Sequence, residues 1–129
     1  MEESTLKYWK DAGHVARRTL EAMKLELTPG KTFHEVIESA ERYIHRHGGK
    51  PAFPGTIAVN DLAAHFTTDH AINQVEGWDG EMVLQKGDCV KIDFGVHIKG
   101  HIADNALTFE IGNGNEHTEQ IKAAKEARD

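Results

Sequence analysis

Apolar residues recur three or four positions apart over the first part of the chain, which is the spacing of an amphipathic α-helix. This pattern predicts a first helix over residues 6–27, ended by the TPG turn at residues 28–30. Thr32 and Glu35 have the spacing of a capping box, so a second helix is predicted from there to about His47. The apolar positions assigned to the buried face of the first helix are Leu6, Trp9, Val15, Ala16, Leu20, Met23 and Leu27.

The middle of the chain is first extended and apolar and then polar. Residues 52–68 read AFPGTIAVNDLAAHFTT, which predicts an extended apolar segment with a turn at residues 60–61. Residues 69–81 form a polar loop punctuated by glycine, and we predict that this loop is the most mobile part of the chain. Towards the C-terminal end, a turn is predicted at residues 113–115 and a third helix at residues 121–128.

Residues 91–112, KIDFGVHIKGHIADNALTFEIG, predict a β-hairpin. The KG pair at residues 99–100 is a two-residue turn in which glycine supplies a positive φ, so Ile98 pairs with His101. Because side chains alternate between the faces of a strand, this register separates an apolar face from a face that carries charge. The apolar face, which we assign to the core, carries Ile92, Phe94, Leu107 and Phe109.

The same register places two aspartates on the other face of the hairpin. Asp93 lies opposite Ala106 and Asp104 lies opposite Gly95, so all four residues share one face. The Cα atoms of the two aspartates are then expected roughly 7 to 8 Å apart. Carboxylates at that separation can converge on one or two shared cations. Gly95 and Ala106 are small, so we expect open space above this face.

Two interpretations of the aspartates follow from this pattern. Strand interiors disfavour Asp, and two like charges in a partly desolvated site repel each other unless a divalent metal ion neutralises them. An acidic pair on the solvent face of an antiparallel sheet is nevertheless an ordinary surface feature. His97 is predicted on the same face, and a site role and a solvent-facing position at the hairpin tip fit it equally well. Alternation alone leaves both interpretations open.

The composition limits the class of protein. With 129 residues, of which 39% are hydrophobic, the chain is long enough for one globular domain and too short for two ordinary ones. The net charge is −6 with dispersed Lys and Arg, so we expect neither nucleic acid nor an anionic membrane as a partner. We find no apolar run of membrane-spanning length, no signal peptide and one cysteine, Cys89. We therefore expect a soluble cytoplasmic protein.

Two segments of the chain resemble the methionine aminopeptidases, in particular the type II branch of eukaryotes and archaea. KIDFGVHIKGHIADNALTF resembles the first metal-binding segment of that family, and AFPGTIAVNDLAAHFTT resembles the segment around its essential histidine. The resemblance extends through nearly the whole chain. It implies an α+β architecture, namely the first half of the pita-bread fold, in which helices cover an antiparallel sheet.

The resemblance also implies a function and a set of site residues. The family is metal-dependent and removes the N-terminal methionine from peptides and nascent proteins. By this resemblance Asp93 and Asp104 bind two divalent metal ions, and Co, Mn, Fe and Zn are all compatible with carboxylate ligands. His65, in the AAH motif, would contact the substrate backbone at the scissile bond. Phe53, in the AFP motif, would line the pocket for the methionine side chain.

The chain departs from the family pattern after the histidine and in its length. The family usually has a proline where this chain reads FTT at residues 66–68, and the loop at residues 69–81 is longer than usual, which affects the entrance of the site. The remaining ligands of the family, a histidine and two glutamates, lie in a second half of the fold. Residues 1–129 are therefore expected to be the N-terminal portion of one catalytic domain, with the C-terminal half absent. We expect this fragment to bind metal weakly, to be inactive alone and to self-associate through its open site face.

Two alternatives belong to the same fold. A prolidase-like peptidase would share the paired aspartates, but such enzymes usually carry an arginine soon after the second one, where this chain has NAL at residues 105–107. A non-catalytic binding protein of the fold would tend to have lost the ligands, whereas this chain keeps Asp93, Asp104 and His65. Both comparisons favour the aminopeptidase.

Overall fold

The computed structural model of the chain describes residues 2–68, 77–112 and 115–129. It contains three helices, α1 (Glu3–Glu26), α2 (Phe33–Arg46) and α3 (Thr118–Arg128). All three predicted helices are confirmed, although α1 begins at Glu3 rather than at residue 6 and α3 begins at Thr118 rather than at residue 121. Residues 69–76 of the predicted mobile loop (69–81) and residues 113–114 of the predicted turn (113–115) lie outside the described residues.

The start of α2 forms the predicted capping box. Thr32 Oγ1 accepts a hydrogen bond from the Glu35 amide at 3.1 Å, and the Glu35 carboxylate accepts one from the Thr32 amide at 2.8 Å. The first two amides of the helix donate to backbone carbonyls outside it. The Phe33 amide donates to the Met82 carbonyl and the His34 amide to the Gly80 carbonyl, each at 2.9 Å. The first turn of α2 is therefore tied to residues 80–82, where the chain leaves the loop.

Four antiparallel strands form one sheet around the third strand. They are β1 (Lys50–Pro51), β2 (Thr56–Val59), β3 (Cys89–Ile98) and β4 (His101–Glu110). Strand β3 pairs with β4 along one edge and with β1 and β2 along the other. Within the segment 52–68 only the residues of β2 form a strand, and the turn predicted at residues 60–61 follows this strand directly. Pro54 lacks an amide hydrogen and cannot continue a ladder, and the chain bends between β1 and β2.

The hairpin has the predicted register. Lys99 and Gly100 form the turn with φ values of 49° and 83°, as a two-residue turn of type I′ requires. Asp93 pairs with Ala106, and Gly95 pairs with Asp104. The two aspartates and their small partners therefore share one face, as predicted.

The core lies between the opposite face of the sheet and the helices. Strand β3 contributes four buried side chains to it, and α1 packs on β3, on β4 and on α2. Leu107 and Phe109 of β4 were assigned to the core and are only partly buried against it. The buried side chains of β3 are Val90, Ile92, Phe94 and Val96.

The apolar stripe of α1 extends beyond the core at its N-terminal end. Leu6 and Trp9 were assigned to the buried face, but they are 43% and 42% exposed. At this level the sheet has reached the hairpin turn, and the rings of Trp9 and His101 meet edge to face with centroids 5.3 Å apart. The helical period was correct, and the position of the end of the sheet could not be inferred from it.

Candidate metal-binding site

Asp93 and Asp104 lie on the sheet face opposite to the one that packs against α1 and α2. Asp93 is half-buried on the central strand, whereas Asp104 is exposed on β4. The Oδ1 atom of Asp93 is buried and has no hydrogen-bond partner among the described residues. A buried carboxylate oxygen without a donor is costly, because it has lost its hydration without replacement. Such an atom is chemically suited to a cation.

The two carboxyl groups influence each other directly. Burial raises the pKa of Asp93 above its ordinary value, and the charge of Asp104 raises this pKa further. A hydrogen bond that the two carboxyl groups share when Asp93 is protonated acts in the same direction, whereas His65 lowers the pKa of Asp93. The fold therefore holds two acidic groups so close that full ionisation of both is unfavourable, with His65 in electrostatic range.

Phe53 occupies part of the space that we expected to be open. A Cβ atom added to Gly95 would clash with Cε1 of the Phe53 ring, so the ring lies directly against the glycine. The Ala52 amide donates to the Gly95 carbonyl at 2.9 Å and brings this segment over the strand. The expectation of open space above Gly95 was wrong. Ala106, opposite Asp93, is exposed as expected.

His65 is exposed and has a φ of 68°, in the left-handed region that few residues other than glycine adopt. The three residues that follow it, at positions 66–68, are all buried. The Ile57 amide of β2 donates to the Phe66 carbonyl at 2.9 Å, which fixes this segment against the edge of the sheet. The structure therefore presents the His65 side chain from an anchored segment.

Two other histidines, His97 and His34, each form a hydrogen bond through the Nδ1 atom of the ring. His97 lies on the site face, and its Nδ1 accepts a hydrogen bond from the Gly100 amide at 3.2 Å. This hydrogen bond stabilises the hairpin turn. His34 is exposed on α2, and its Nδ1 is hydrogen-bonded to Thr68 Oγ1 at 3.2 Å. The signal that could have indicated this contact is Thr68 itself, within the segment where the family pattern has proline.

The donor set fits part of a metal site. Carboxylate oxygens are good ligands for divalent cations, and the unpartnered oxygen of Asp93 provides one. Among residues 2–68, 77–112 and 115–129, however, no group of three or more His, Cys, Asp or Glu side chains is arranged to hold a metal ion. Asp93 and Asp104 therefore supply an incomplete set of ligands.

Comparison with protein families identifies the class of this fold and site. Residues 7–129 match metallopeptidase family M24, and the chain belongs to this family. Divalent metal dependence is a property of that family, in agreement with the paired carboxylates. The predicted α+β architecture and pita-bread fold are confirmed by this match and by the structures that the chain resembles.

Curated relatives connect the chain to one enzyme of the family. It is 40% identical over 116 residues to a methionine aminopeptidase of Thermococcus onnurineus, which is 90% of this chain and 36% of that protein. It is 37% identical over 127 residues to a methionine aminopeptidase of Archaeoglobus fulgidus, covering 98% of this chain and 40% of the relative. The predicted resemblance to methionine aminopeptidases is thus confirmed, and the archaeal origin of these relatives agrees with the type II branch. The chain spans well under half the length of either relative.

Solved structures show the same fold in two kinds of peptidase. The chain superimposes on methionine aminopeptidase from Rickettsia prowazekii with a TM-score of 0.79 at 21% identity, covering 98% of this chain and 50% of the other. It superimposes on the prolidase from Pyrococcus furiosus with a TM-score of 0.76 at 26% identity, covering 98% of this chain and 35% of the other.

The described part of the chain has no helix that is long and apolar enough to cross a membrane.

The raised pKa of Asp93 predicts a stability difference that depends on pH. A carboxyl whose pKa is higher in the folded state contributes stability in full below its unfolded pKa, near 3.8, and loses it as the pH rises through the folded value. Ionised Asp93 therefore opposes folding at neutral pH when no metal is bound. Asp93→Asn should raise the free energy of unfolding of the metal-free chain at pH 7, and this gain should shrink as the pH falls towards 3.8.

Urea denaturation over a series of pH values, with a chelator present, measures this difference. Asp11→Asn is the matched control, because its carboxylate pairs with Lys7 on the exposed face of α1 and should show no such gain. A parent chain that is as stable at pH 7 as Asp93→Asn would contradict the prediction.

Proposed function

We propose that residues 1–129 are the N-terminal portion of the catalytic domain of a methionine aminopeptidase, which removes the N-terminal methionine from peptides and nascent proteins in the cytoplasm. The observation that carries this proposal is the paired aspartates of the hairpin, with a buried and unpartnered oxygen on Asp93. The curated methionine aminopeptidases that the chain resembles support the same reaction.

In this proposal Asp93 and Asp104 hold two divalent metal ions together with ligands from outside residues 1–129. When bound, such ions supply Lewis acidity and lower the pKa of a coordinated water molecule. The two aspartates have opposite environments, one half-buried and one exposed. A bound cation would therefore stabilise Asp93 more than Asp104, because it would give the unpartnered oxygen of Asp93 a partner. Mn, Fe, Co and Zn all suit carboxylate ligands.

His65 and Phe53 would act on the substrate. The His65 ring is exposed beside the aspartates, so a ring nitrogen can donate a hydrogen bond to the carbonyl or accept one from the amide of the scissile bond. Phe53 lies against Gly95 through its Cδ1 and Cε1 atoms and offers an apolar ring on the same face, which is suitable for a methionine side chain. Together these residues would orient the first residue of a peptide over the acidic pair.

A prolidase-like reaction is the main alternative, since prolidases share this fold. The curated relatives at 37–40% identity favour methionine release. The two activities are distinguished by the substrate, because a prolidase acts on a dipeptide with proline in the second position.

The test uses the protein extended to the length of its relatives and compares release of methionine from a Met-initiated peptide with cleavage of an Xaa-Pro dipeptide. Asp104→Asn should lower kcat/KM for Met release by more than about 100-fold, since loss of a group that only supports a ligand already costs 10- to 100-fold. His65→Ala should lower kcat much more than it raises KM, because its hydrogen bond strengthens as charge develops in the transition state.

Asp11→Asn on the exposed face of α1 serves as the control and should leave both parameters unchanged. Normal methionine release by Asp104→Asn would disprove the metal assignment, and preferential cleavage of the Xaa-Pro dipeptide by the parent would replace the aminopeptidase with a prolidase.

Self-association of the 129-residue chain is a further part of this proposal. Ile102 is 55% exposed on β4, on the same face as Asp104 and Ala106, which are exposed as well. An apolar side chain on an open sheet face favours contact with a second copy. We expect the chain to dimerise or oligomerise in sedimentation velocity as its concentration is raised, and Ile102→Thr should weaken this association.

Leu25→Thr is the matched control, because Leu25 is 83% exposed on α1, away from the site face. A parent chain that stays monomeric at its highest soluble concentration would rule out self-association, and equal effects of the two substitutions would place the contact elsewhere.

A further inference from the structure

The backbone of His65 needs support from its surroundings. A φ of 68° is unfavourable for a residue with a Cβ atom, and such conformations persist only when neighbouring contacts enforce them. Ala63 and Ala64, on the N-terminal side, are exposed and offer short side chains. Among the described residues, the anchored neighbours of His65 lie on its C-terminal side, at residues 66–68.

Phe66 provides the first of these contacts. Its side chain is fully buried and packs against two other aromatic rings, with its ring centroid 6.2 Å from that of Phe33 and 5.6 Å from that of Trp78. Its carbonyl accepts the hydrogen bond from the Ile57 amide of β2. The residue after His65 is thus fixed through both its side chain and its backbone.

Thr68 provides the second contact and depends on His34. Thr68 is 5% exposed, so its hydroxyl needs a partner within the protein, and His34 Nδ1 lies 3.2 Å from it. The backbone amide of His34 donates to the Gly80 carbonyl, and Nε2 of His34 lies 3.6 Å from Glu38 Oε1. A Cβ atom on Gly80 would lie 3.1 Å from the Thr68 Cβ atom, so Thr68 also packs closely against residue 80.

We propose that His34 is a positioning residue for His65. By its hydrogen bond to Thr68, His34 holds residues 66–68 against the first turn of α2, and this segment in turn keeps His65 in its left-handed conformation beside Asp93 and Asp104. The consequence for catalysis rests on the proposed function, in which the His65 ring contacts the scissile bond. The positioning itself is a property of this chain and can be measured without activity.

The structural test compares four substitutions in the 129-residue chain. His34→Ala and Thr68→Val remove the hydrogen bond, whereas His34→Asn keeps a polar group near the place of Nδ1 and Thr68→Ser keeps the hydroxyl. The readouts are the NMR signals of the His65 ring and amide hydrogen exchange at residues 65–68. His34→Ala and Thr68→Val should shift the ring signals and speed exchange about tenfold, as expected for the loss of one hydrogen bond. The Asn and Ser variants should remain close to the parent.

His45→Ala is the control, because it makes the same substitution at an exposed position of the same helix and should leave the His65 signals unchanged. Unchanged His65 signals and exchange in His34→Ala would overturn the proposal, and so would equal effects of His34→Ala and His34→Asn. If Thr68→Val fails to fold, the comparison of the two His34 variants with His45→Ala still decides the matter.

The kinetic test uses the protein extended to the length of its relatives. His34→Ala should lower kcat for Met release about tenfold with little change in KM, because small displacements of a catalytic group reduce the rate without weakening binding. His34→Asn should recover most of this loss. If the parent itself releases no methionine, the proposed function fails while the NMR result still decides whether His34 positions His65.

Discussion

The pairing of β3 with β4 is the constraint on which the site depends. The turn at Lys99-Gly100 fixes which residues face each other, and a shift of one residue would exchange the core face for the site face. In the observed register the apolar side chains of β3 meet the helices, and Asp93 and Asp104 point away from them. The turn therefore determines both which side chains of the hairpin face the core and which face carries the two aspartates.

The site is held in a state that is unfavourable without a ligand. Asp93 loses part of its hydration, has a buried oxygen with no donor among the described residues, and lies beside a second carboxylate. The apolar core of the sheet offsets this cost, since the opposite face of the same strand is fully buried. Destabilised charge of this kind is typical of functional sites, because a bound cation converts the cost into binding energy.

Much of the fold could be predicted from the sequence because its signals are local. The helical period, the Thr32–Glu35 capping box and the two-residue hairpin turn each act within a few residues, and the register of the two aspartates followed from the turn. Contacts between distant segments could not be predicted in this way. The exposure of Trp9 depends on where the sheet ends, the Phe53 ring over Gly95 depends on the bend after β1, and the His34–Thr68 contact joins residues 34 positions apart.

If Asp93 and Asp104 act as one cation-binding pair, Mn²⁺ bound to them should broaden the NMR signals of the residues around them by paramagnetic relaxation. Even weak binding broadens nuclei close to the ion, so an incomplete ligand set is sufficient for this measurement. We predict that the signals of Asp93, Asp104, Gly95 and Ala106 broaden first, while those around Asp88 and Glu110, at the other end of the same hairpin, persist. Broadening that is uniform over the acidic surface, or strongest away from these four residues, would contradict it.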